Sequence, residues 1–532
     1  MLFRQLPAVL SRSLCLSALV LVAICVFSSP AYSQDVRTYH NNNARTGTNP
    51  NETLLTLANV NSATFGKLFV IPTDGIVDAQ PLYLSAVTTS GVVHNVLIVA
   101  TEHGTVYAFD ADTGAKIWQI STLKTGEVTS DTRGCSQLAP AIGVTATPVI
   151  TRPPNSNPVI YLVAMSIDGS NNFHQRLHAI DATNGKELHN GPVEITGRYP
   201  GTGDNSSNGY VIFDPGQYKE RASLLLVGTT VYMSWASHCD IRPYTGWIMA
   251  YNINTLAQTT ILNVTPNGND GGIWGSGAGM AADTAGNIFV LDGNGTFDAT
   301  LNASGFPNQG DYGNAFLRLS TTGGLAVSDY FEMHNGIQEN VNDIDLGSGG
   351  TLLVDGKNAN GVIIPLAVGA GKDGNMYIVN RKNLGKYNPT GDKIYQQLNG
   401  ALPGGIYSMP AMFSGRLYYG PVGSPILAFQ FKNARLIPTP VARSANSFGY
   451  PGTTPSISTN AGQNTIVWAV EATPPVLHAY NAANLQELYN STQAPNNRDH
   501  YAPGNRFVPP TIAHGKVYVG FAGGVAVFGL LK

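Results

Sequence analysis

The sequence predicts an all-β protein, an eight-bladed β-propeller built from four-stranded antiparallel blades. Three observations predict it. The composition is rich in turn-forming residues, a strand pattern recurs eight times, and a second apolar segment precedes each copy of that pattern. The 532 residues include 59 Gly and 32 Pro, and only 12% are charged. A chain of this length and composition can bury large cores between many short strands.

The recurring pattern is an apolar strand, often of the form aromatic-x-Ala-x-Asp, that ends in a turn. Its eight copies are "VYAFDADTG" (106–114), "LHAIDATNG" (177–185), "IMAYNINTL" (248–256), "AFLRLSTTGG" (315–324), "MYIVNRKNLG" (376–385), "ILAFQFKNA" (426–434), "LHAYNAANL" (477–485) and "VAVFGLL" (525–531). An Asp before Thr-Gly or Asn-Gly is typical of tight turns, where its carboxylate accepts backbone N–H bonds. We therefore interpret these aspartates as turn residues.

A second apolar segment, often containing Pro, precedes each copy. These first strands are "DAQPLYL" (78–84), "VTATPVI" (144–150), "ASLLLVG" (222–228), "GSGAGMAAD" (275–283), "GSGGTLLVD" (347–355), "YSMPAMF" (407–413), "GTTPSIS" (452–458) and "FVPPTIA" (507–513). Short strands that recur about every 50 to 70 residues are typical of a β-propeller, because radial repetition protects strand edges. The count favours eight blades, and seven blades are the alternative.

The last copy ends beside the C-terminus without a fourth strand. The segment "FGKLFVIP" (65–72) has strand character and stands apart from the repeats. We therefore predict that this N-terminal strand completes the last blade and closes the ring.

The N-terminus has the features of an export signal. Arg4 and Arg12 precede the apolar run "LCLSALVLVAICVF" (14–27), and Ala31 and Ser33 supply the small residues of a cleavage site. The run is shorter than the roughly 20 residues of a spanning helix, so we expect no membrane span in the mature chain. The predicted organisation is a signal peptide at 1–33, an extended N-terminal arm at 34–64 and the propeller at 65–532, in a periplasmic or secreted protein.

Charge and cysteine content limit the partners and the compartment. The net charge is −3 and no long basic run occurs, which excludes a nucleic-acid footprint and favours a small or neutral partner. Without the leader two cysteines remain, Cys135 and Cys239. In an oxidising compartment they are expected to form one disulfide, with two buried thiols as the alternative.

One acidic pair lies outside the turn pattern. In "NDIDLGSGG" (342–350), Asp343 and Asp345 stand two residues apart, just before the fifth first strand. Such a pair can cap a turn by accepting backbone N–H bonds, or can act in proton transfer and cation binding. The residues alone leave both interpretations open.

The repeat "EHGTVYAFDADTGAKIWQ" (102–119) resembles the tryptophan-docking repeat of pyrroloquinoline-quinone (PQQ) propellers, the fold of quinoprotein alcohol dehydrogenases. Three further stretches resemble that family in the same order: "GGIWGSGAGMAADTAGNIFVLDGNGT" (271–296), Asp343-Ile344-Asp345, and "VDGKNANGVIIPLAVGAGKDGNMYIVNR" (354–381). The resemblance spans nearly all of the chain from about residue 65 onward.

The resemblance implies site residues. Asp343 matches the catalytic base, and Asn294 and Asp345 match ligands of a calcium or lanthanide ion. Trp274 and Lys372 match residues at the PQQ cofactor, Lys372 as the cation at the quinone oxygens. The implied activity is oxidation of an alcohol or sugar, with electrons passed to a separate acceptor.

Two departures from the family pattern concern the same site. Cys135 takes the first position of a vicinal cysteine pair that lies against the quinone, but Ser136 follows it, so a vicinal disulfide cannot form. A Glu metal ligand is missing from "WASHCDIRPYTGW" (235–247), where Asp240 is the candidate replacement. These departures keep a second hypothesis open, a non-catalytic propeller that binds a protein or glycan.

Overall fold

The computed structural model describes residues 34–138, 140–504 and 506–532. The regular secondary structure of this part of the chain is almost entirely β-strand, with a single short α-helix at Gly336–Val341. The predicted signal peptide at 1–33 lies outside the described residues. Within them, no helix is long and apolar enough to cross a membrane.

Eight sheets follow one another along the chain, beginning at Leu82. All their strand pairs are antiparallel except one, in which arm strand Thr48–Asn49 lies parallel to Ser456–Asn460 of sheet 7. The strands of sheets 1 and 2 are Leu82–Thr89, Val92–Ala100, Thr105–Asp110, Lys116–Ser121, Val128–Thr129, Val149–Thr151, Val159–Ile167, Phe173–Asp181 and Val193–Glu194. The strands of sheets 3 and 4 are Tyr218–Lys219, Leu225–Val227, Thr230–Ser237, Trp247–Asn252, Gln258–Asn263, Ala281–Ala282, Ile288–Leu291, Phe316–Ser320 and Ala326–Phe331. Between sheets 2 and 3, a small separate sheet contains Arg198–Pro200, Ser206–Ser207 and Tyr210–Ile212.

The second four sheets repeat the same order of strands. Sheets 5 and 6 contain Leu352–Lys357, Ile363–Ala370, Met376–Asn380, Gln396–Leu398, Ala411–Phe413, Arg416–Tyr419, Leu427–Lys432, Arg435–Leu436 and Ala442–Arg443. Sheets 7 and 8 contain Ser456–Asn460, Gln463–Ala472, Pro475–Asn481, Glu487–Asn490, Thr511–Ala513, Lys516–Leu530 and Phe65–Ile76. This succession of antiparallel sheets is consistent with the predicted β-propeller.

The last sheet joins the two ends of the described chain. Strand Phe65–Ile76 pairs antiparallel with Lys516–Leu530, so that Phe65 lies opposite Leu530. The pairing of "FGKLFVIP" with the C-terminal strand is therefore observed.

One predicted first strand is much shorter than expected. Of residues 275–283, only Ala281–Ala282 form a strand, and Gly275–Gly277 form a 3₁₀ turn. Gly275 and Ser276 have φ values of 55° and 49°, which do not fit a β-strand. This turn directly follows Trp274.

Apolar side chains fill the spaces between neighbouring sheets. Trp235 and Trp247 of sheet 3 are fully buried in one cluster with Leu177 of sheet 2. Trp118 of sheet 1 packs against the adjoining cluster and donates its indole N–H to the carbonyl of Ala182, at 2.9 Å. Sheet-to-sheet packing of this kind is what a radial arrangement requires.

The N-terminal arm contacts the first strand of every sheet. Its hydrogen-bonded partners, taken in sheet order, are Tyr83, Ile150, Leu226, Ala282, Leu353, Met412, Ile457 and Ile512. The arm residues that make these bonds lie between Val36 and Asn49. The arm therefore runs across all eight sheets.

Arg45 anchors the arm. Its side chain is fully buried, and its guanidinium donates to the carbonyls of Met280 (2.9 Å), Leu224 (3.0 Å) and Tyr39 (2.8 Å) and to the hydroxyl of Thr38 (2.8 Å). Two of these partners belong to the segments that enter sheets 3 and 4. Each of its three nitrogens has a partner, as burial of a charged group requires.

Cys135 and Cys239 form a disulfide. Cys135 precedes sheet 2 and Cys239 follows strand Thr230–Ser237 of sheet 3, with 5.5 Å between their Cα atoms. The predicted pairing is confirmed, and it links the loops of two neighbouring sheets.

Replacing Arg45 by Met should destabilise the protein by about 3 kcal/mol, because buried acceptors lose their charged donor. Arg37→Met is the matched control on the same arm, since the Arg37 side chain is 48% exposed. Urea unfolding, monitored by tryptophan fluorescence, measures the stability of both variants. Equal unfolding midpoints for the two variants would contradict the anchoring role of Arg45.

Candidate functional site

One cavity is lined by loops that enter or leave sheets 2 to 8. Its wall includes Trp274, Asp345 and Lys372, which the sequence singled out, and Tyr407 and Tyr450. Trp274 directly precedes the turn Gly275–Gly277, and Asp345 directly precedes the 3₁₀ turn Leu346–Ser348. Lys372 follows strand Ile363–Ala370. The strand ends therefore bring residues distant in sequence to one cavity.

A lysine lies between the two aspartates of "NDIDLGSGG". The Lys372 ammonium is 2.8 Å from Asp343 Oδ1 and 2.5 Å from Asp345 Oδ2, and it also donates to the Asp343 carbonyl at 2.9 Å. The Asp343 side chain is 72% exposed, whereas that of Asp345 is 8% exposed. The Asp343 side chain is thus mostly in solvent, and Asp345 is the buried counterion of Lys372.

Asn294 completes this group. Its backbone N–H donates to Asp345 Oδ1 at 2.7 Å, and its side-chain amide donates to Asp343 Oδ1 at 3.0 Å. Its buried Oδ1 has no hydrogen-bond partner. The preceding residue must be glycine, because a Cβ on Gly293 would lie 2.8 Å from Asp345 Oδ1 and 2.7 Å from Trp274 Cδ1.

The pKa values of Asp345 and Lys372 depend on burial and on the contact between the two side chains. Burial raises the pKa of the Asp345 carboxyl, and the Lys372 ammonium opposes part of that rise. Burial alone would lower the pKa of Lys372, but Asp345 and Asp343 outweigh it and raise that pKa above its ordinary value. Lys372 is therefore a permanent cation of the site.

The remaining predicted residues divide into two groups. Asp240 lines the same cavity, is exposed, and accepts a hydrogen bond from the Tyr244 hydroxyl at 2.7 Å. Cys135 is buried in its disulfide, and the described cavity wall includes its neighbours Gln137 and Leu138 instead. The predicted contact of Cys135 with a cofactor stays a prediction.

The oxygens of this site do not converge on a cation. Both carboxylate oxygens of Asp345 already accept from protein donors, Lys372 and the Asn294 backbone, and Asp240 is bonded to Tyr244. Within the described residues, no three His, Cys, Asp or Glu side chains are placed to hold a metal ion. Calcium and lanthanides need six or more oxygen ligands, so the predicted ligand set does not fit a metal in this arrangement.

A planar anionic quinone fits the cavity better. Lys219, Arg221 and Lys372 supply three cationic side chains, and Trp274 supplies a flat aromatic surface. Tyr407 and Tyr450, whose ring centroids are 5.2 Å apart, form another aromatic wall. Apolar walls with a few converging polar groups are typical of cofactor sites.

Sequence reasoning missed Lys219, Arg221 and the aromatic wall. Lys219 and Arg221 lie in "YKERAS" (218–223), which has the appearance of a solvated charged turn before a strand. The pairing of Tyr218–Lys219 with Thr230–Ser237 buries this segment instead. No periodic pattern in the sequence shows whether this charged segment is exposed or buried.

These features define a class, the β-propeller proteins with an aromatic and charged cavity at their strand ends. The family model "Glucose/ethanol/alcohol dehydrogenase, beta-propeller domain" of the PQQ proteins matches residues 57–389, and the chain belongs to this family. No curated protein sequence matches the chain.

Solved structures show the same fold at low sequence identity. The quinohemoprotein alcohol dehydrogenase from Comamonas testosteroni has 15% identity and a TM-score of 0.57, over 93% of this chain and 80% of its own. The quinohemoprotein alcohol dehydrogenase ADHIIG from Pseudomonas putida has 12% identity and a TM-score of 0.62, with the same coverage. The shared fold extends beyond the region matched by the family model.

Replacing Lys372 by Met should destabilise the protein by about 3 kcal/mol at neutral pH, because Asp345 would be left as a buried, unpaired charge. The loss should shrink as the pH falls, since protonation of Asp345 removes that charge, and Asp345→Asn should rescue the variant. Urea unfolding at several pH values tests this, with the exposed Lys382→Met as control. A loss that does not change with pH would contradict the ion-pair explanation.

Proposed function

We propose that this protein is an exported PQQ-dependent dehydrogenase that oxidises alcohols or sugars, with Asp343 as the base. The observation that carries the proposal is the contact of Asp343 with Lys372 and Asn294, because Lys372 lines the same cavity as Trp274. Family membership supports the same chemistry. The proposed architecture is an eight-bladed ring, supported by eight successive sheets and the pairing of Phe65–Ile76 with the last strand.

Asp343 is suited to remove the hydroxyl proton of a substrate. Both side-chain bonds to its carboxylate, from Lys372 and Asn294, go to Oδ1. Oδ2 therefore stays available to accept a proton, on a side chain that is 72% exposed. These two donors also fix the orientation of the carboxylate, which general-base catalysis requires.

Bound PQQ would supply the two-electron oxidant for the alcohol carbon. The Trp274 ring would lie against its planar face, and the cationic side chains would hold its carboxylates. Lys372 would remain within hydrogen-bonding reach of the base. A separate acceptor would then receive the electrons.

The Cys135–Cys239 disulfide supports export. Disulfides persist in oxidising compartments such as the periplasm and the extracellular space. The signal-like segment at 1–33 points to the same compartment.

The alternative is a non-catalytic propeller that binds a protein or glycan. It is favoured by one specific observation, the occupation of both Asp345 oxygens by protein donors. PQQ titration of the purified protein separates the two functions. Stoichiometric binding followed by turnover of an alcohol or sugar supports the enzyme, and no binding supports the alternative.

Asp343→Asn should lower kcat by about 100-fold or more, because the variant retains the shape of the side chain but cannot accept the substrate proton. PQQ affinity should change little, since the amide can still accept from Lys372. Reduction of an artificial electron-acceptor dye measures the rate, and absorbance measures bound PQQ. Asp355→Asn, on an exposed carboxylate of sheet 5, is the control. Full activity in Asp343→Asn would remove Asp343 from the mechanism.

PQQ affinity should be the same within about twofold with EDTA, calcium or lanthanum, because Lys372 already supplies the cation next to Asp345. Calorimetric titration in the three conditions measures this. Metal-dependent binding that is lost in Asp345→Ala would show instead that a metal ion displaces Lys372 from Asp345, as the family resemblance implies.

A further inference from the structure

A second cleft lies outside the cavity, between the last strands of sheets 3 and 4. Its wall is formed by the ends of strands Gln258–Asn263 and Ala326–Phe331, by strand Arg198–Pro200 of the small separate sheet, and by the loop at 307–312. Its volume is about 540 Å³, within the range of roughly 300 to 1,000 Å³ that is usual for ligand sites. None of the described residues that line it also lines the cavity of Asp345, so the cleft is a separate candidate site.

The wall of this cleft is uncharged. Among the described residues that form it, none is Asp, Glu, Lys, Arg or His. Two clefts of about 600 Å³ elsewhere on the protein have charged walls, with Arg381 and Asp355 in one and Arg443 in the other. Because an ion leaves water readily only for a compensating charge, the uncharged wall favours a neutral ligand.

Two tyrosines line the cleft with hydroxyls that no protein group uses. Within the described part of the chain, neither the Tyr199 nor the Tyr312 hydroxyl has a hydrogen-bond partner. Tyr330, whose ring lies 5.4 Å from that of Tyr312, instead donates to the carbonyl of Gly305 at 2.9 Å. Burial raises the pKa of Tyr312 to about 12 and also raises that of Tyr199, so both phenols stay protonated. Each can therefore donate and accept a hydrogen bond from a ligand.

Two amide side chains of the cleft are also free. Asn308 and Gln309 are exposed, and their backbone N–H groups donate to the Thr300 carbonyl at 2.9 Å and to Asp298 Oδ2 at 2.7 Å. Their side-chain amides bond to none of the described residues, although each supplies two donors and an acceptor. The loop is thus fixed through its backbone, and its polar side chains remain available.

One asparagine holds the walls of the cleft together. The Asn267 side chain accepts from the N–H and the hydroxyl of Thr202, each at 3.1 Å, and donates to the Gln309 carbonyl at 2.7 Å. Its backbone N–H donates to Asp311 Oδ1 at 2.8 Å. The loop after sheet 3 is therefore bonded to both neighbouring loops, and the cleft is formed without a ligand. A preformed site reduces the conformational entropy that is lost on binding.

The mixture of groups in the cleft suits a carbohydrate. Hydroxyls and amides that both donate and accept match the hydroxyls of a sugar, and apolar ring surfaces match its C–H faces. Pro200, Pro266 and Pro307 supply such surfaces together with the ring of Tyr199. A peptide strand would need backbone N–H groups on the wall, and proline has none. These features favour a carbohydrate over a peptide.

We propose that this cleft binds a neutral oligosaccharide. Tyr199, Tyr312, Asn308 and Gln309 would bond the sugar hydroxyls, and the proline rings would contact its C–H faces. The proposal goes beyond the proposed function and does not depend on it, because the cleft lies outside the cavity in which oxidation is proposed. It would attach the protein to a glycan whichever function the cavity has.

The test uses the purified full protein with three neutral sugars, cellotetraose, maltotetraose and triacetylchitotriose, and a Gly-Ser hexapeptide as the neutral peptide. Calorimetry at low and high salt measures binding. At least one sugar should bind with a Kd below about 1 mM, and salt should change that Kd by less than about twofold, since no charge takes part. A higher Kd for all three sugars, or binding of the hexapeptide alone, overturns the proposal.

Variants then locate the bound sugar. Tyr199→Phe, Tyr312→Phe and Asn308→Ala should each weaken binding by about fivefold, because each removes one hydrogen-bonding group. Tyr395→Phe is the matched control, since Tyr395 lines neither the cleft nor the cavity. Unchanged affinity in all three cleft variants overturns the proposal.

A sugar can also enter the cavity as a substrate, and Trp274→Ala separates the two sites. Binding that persists in Trp274→Ala and is weakened in the cleft variants supports the proposal. Loss of binding in Trp274→Ala with unchanged affinity in the cleft variants places the sugar in the cavity and overturns it. Failure of the proposed function is measured separately, as the absence of PQQ binding to the wild-type protein.

Discussion

Hydrogen bonding between the N-terminal arm and the first strand of every sheet is the constraint on which the rest of the structure depends. First strands on the inner side of a radial assembly have one edge without a neighbouring strand, and those polar groups need partners. The arm provides them from Val36 to Asn49. Arg45 adds four bonds at the segments that enter sheets 3 and 4. The segments that enter sheets 3 and 4 contain or adjoin three residues of the cavity wall, Lys219, Arg221 and Trp274. The arm therefore also positions the sheet 3 and sheet 4 side of the cavity.

The opposite side of the cavity depends on a second interaction, the bridge from Lys372 to Asp343 and Asp345. It connects the loop before sheet 5 with the loop after that sheet's second strand, and Asn294 connects the loop before sheet 5 to sheet 4. A backbone bond from the Lys372 N–H to the Asp345 carbonyl, at 2.9 Å, holds the same two loops together. The close approach of Gly293 to Asp345 and Trp274 brings the loop of sheet 4 against them. The same contacts that hold the loops in place also orient Asp343 for proton transfer.

The sequence allowed most of the fold to be predicted, because the repeat is long and its turn residues are distinctive. The eight strands of the recurring pattern and the pairing of Phe65–Ile76 with Lys516–Leu530 follow from it. The short first strand of sheet 4 could not be predicted, since "GSGAGMAAD" is compatible with a strand until its left-handed Gly275 and Ser276 are seen. Asp343, Asn294, Trp274 and Lys372 were predicted only through the resemblance to the quinoprotein family, whose matching stretches occur in the same order on neighbouring repeats. Lys219 and Arg221 were not, because burial of a charged segment depends on contacts that are distant in sequence.

Charge balance links these features. The cavity wall carries three cations, Lys219, Arg221 and Lys372, against the carboxylates of Asp240 and Asp345. Asp343, 2.8 Å from Lys372, adds a third carboxylate, so the three cations face three carboxylates. A cation that bound at Asp345 would have to displace the Lys372 ammonium, which lies 2.5 Å from Asp345 Oδ2. The charge balance of this side of the cavity therefore depends on Lys372 and its two aspartates.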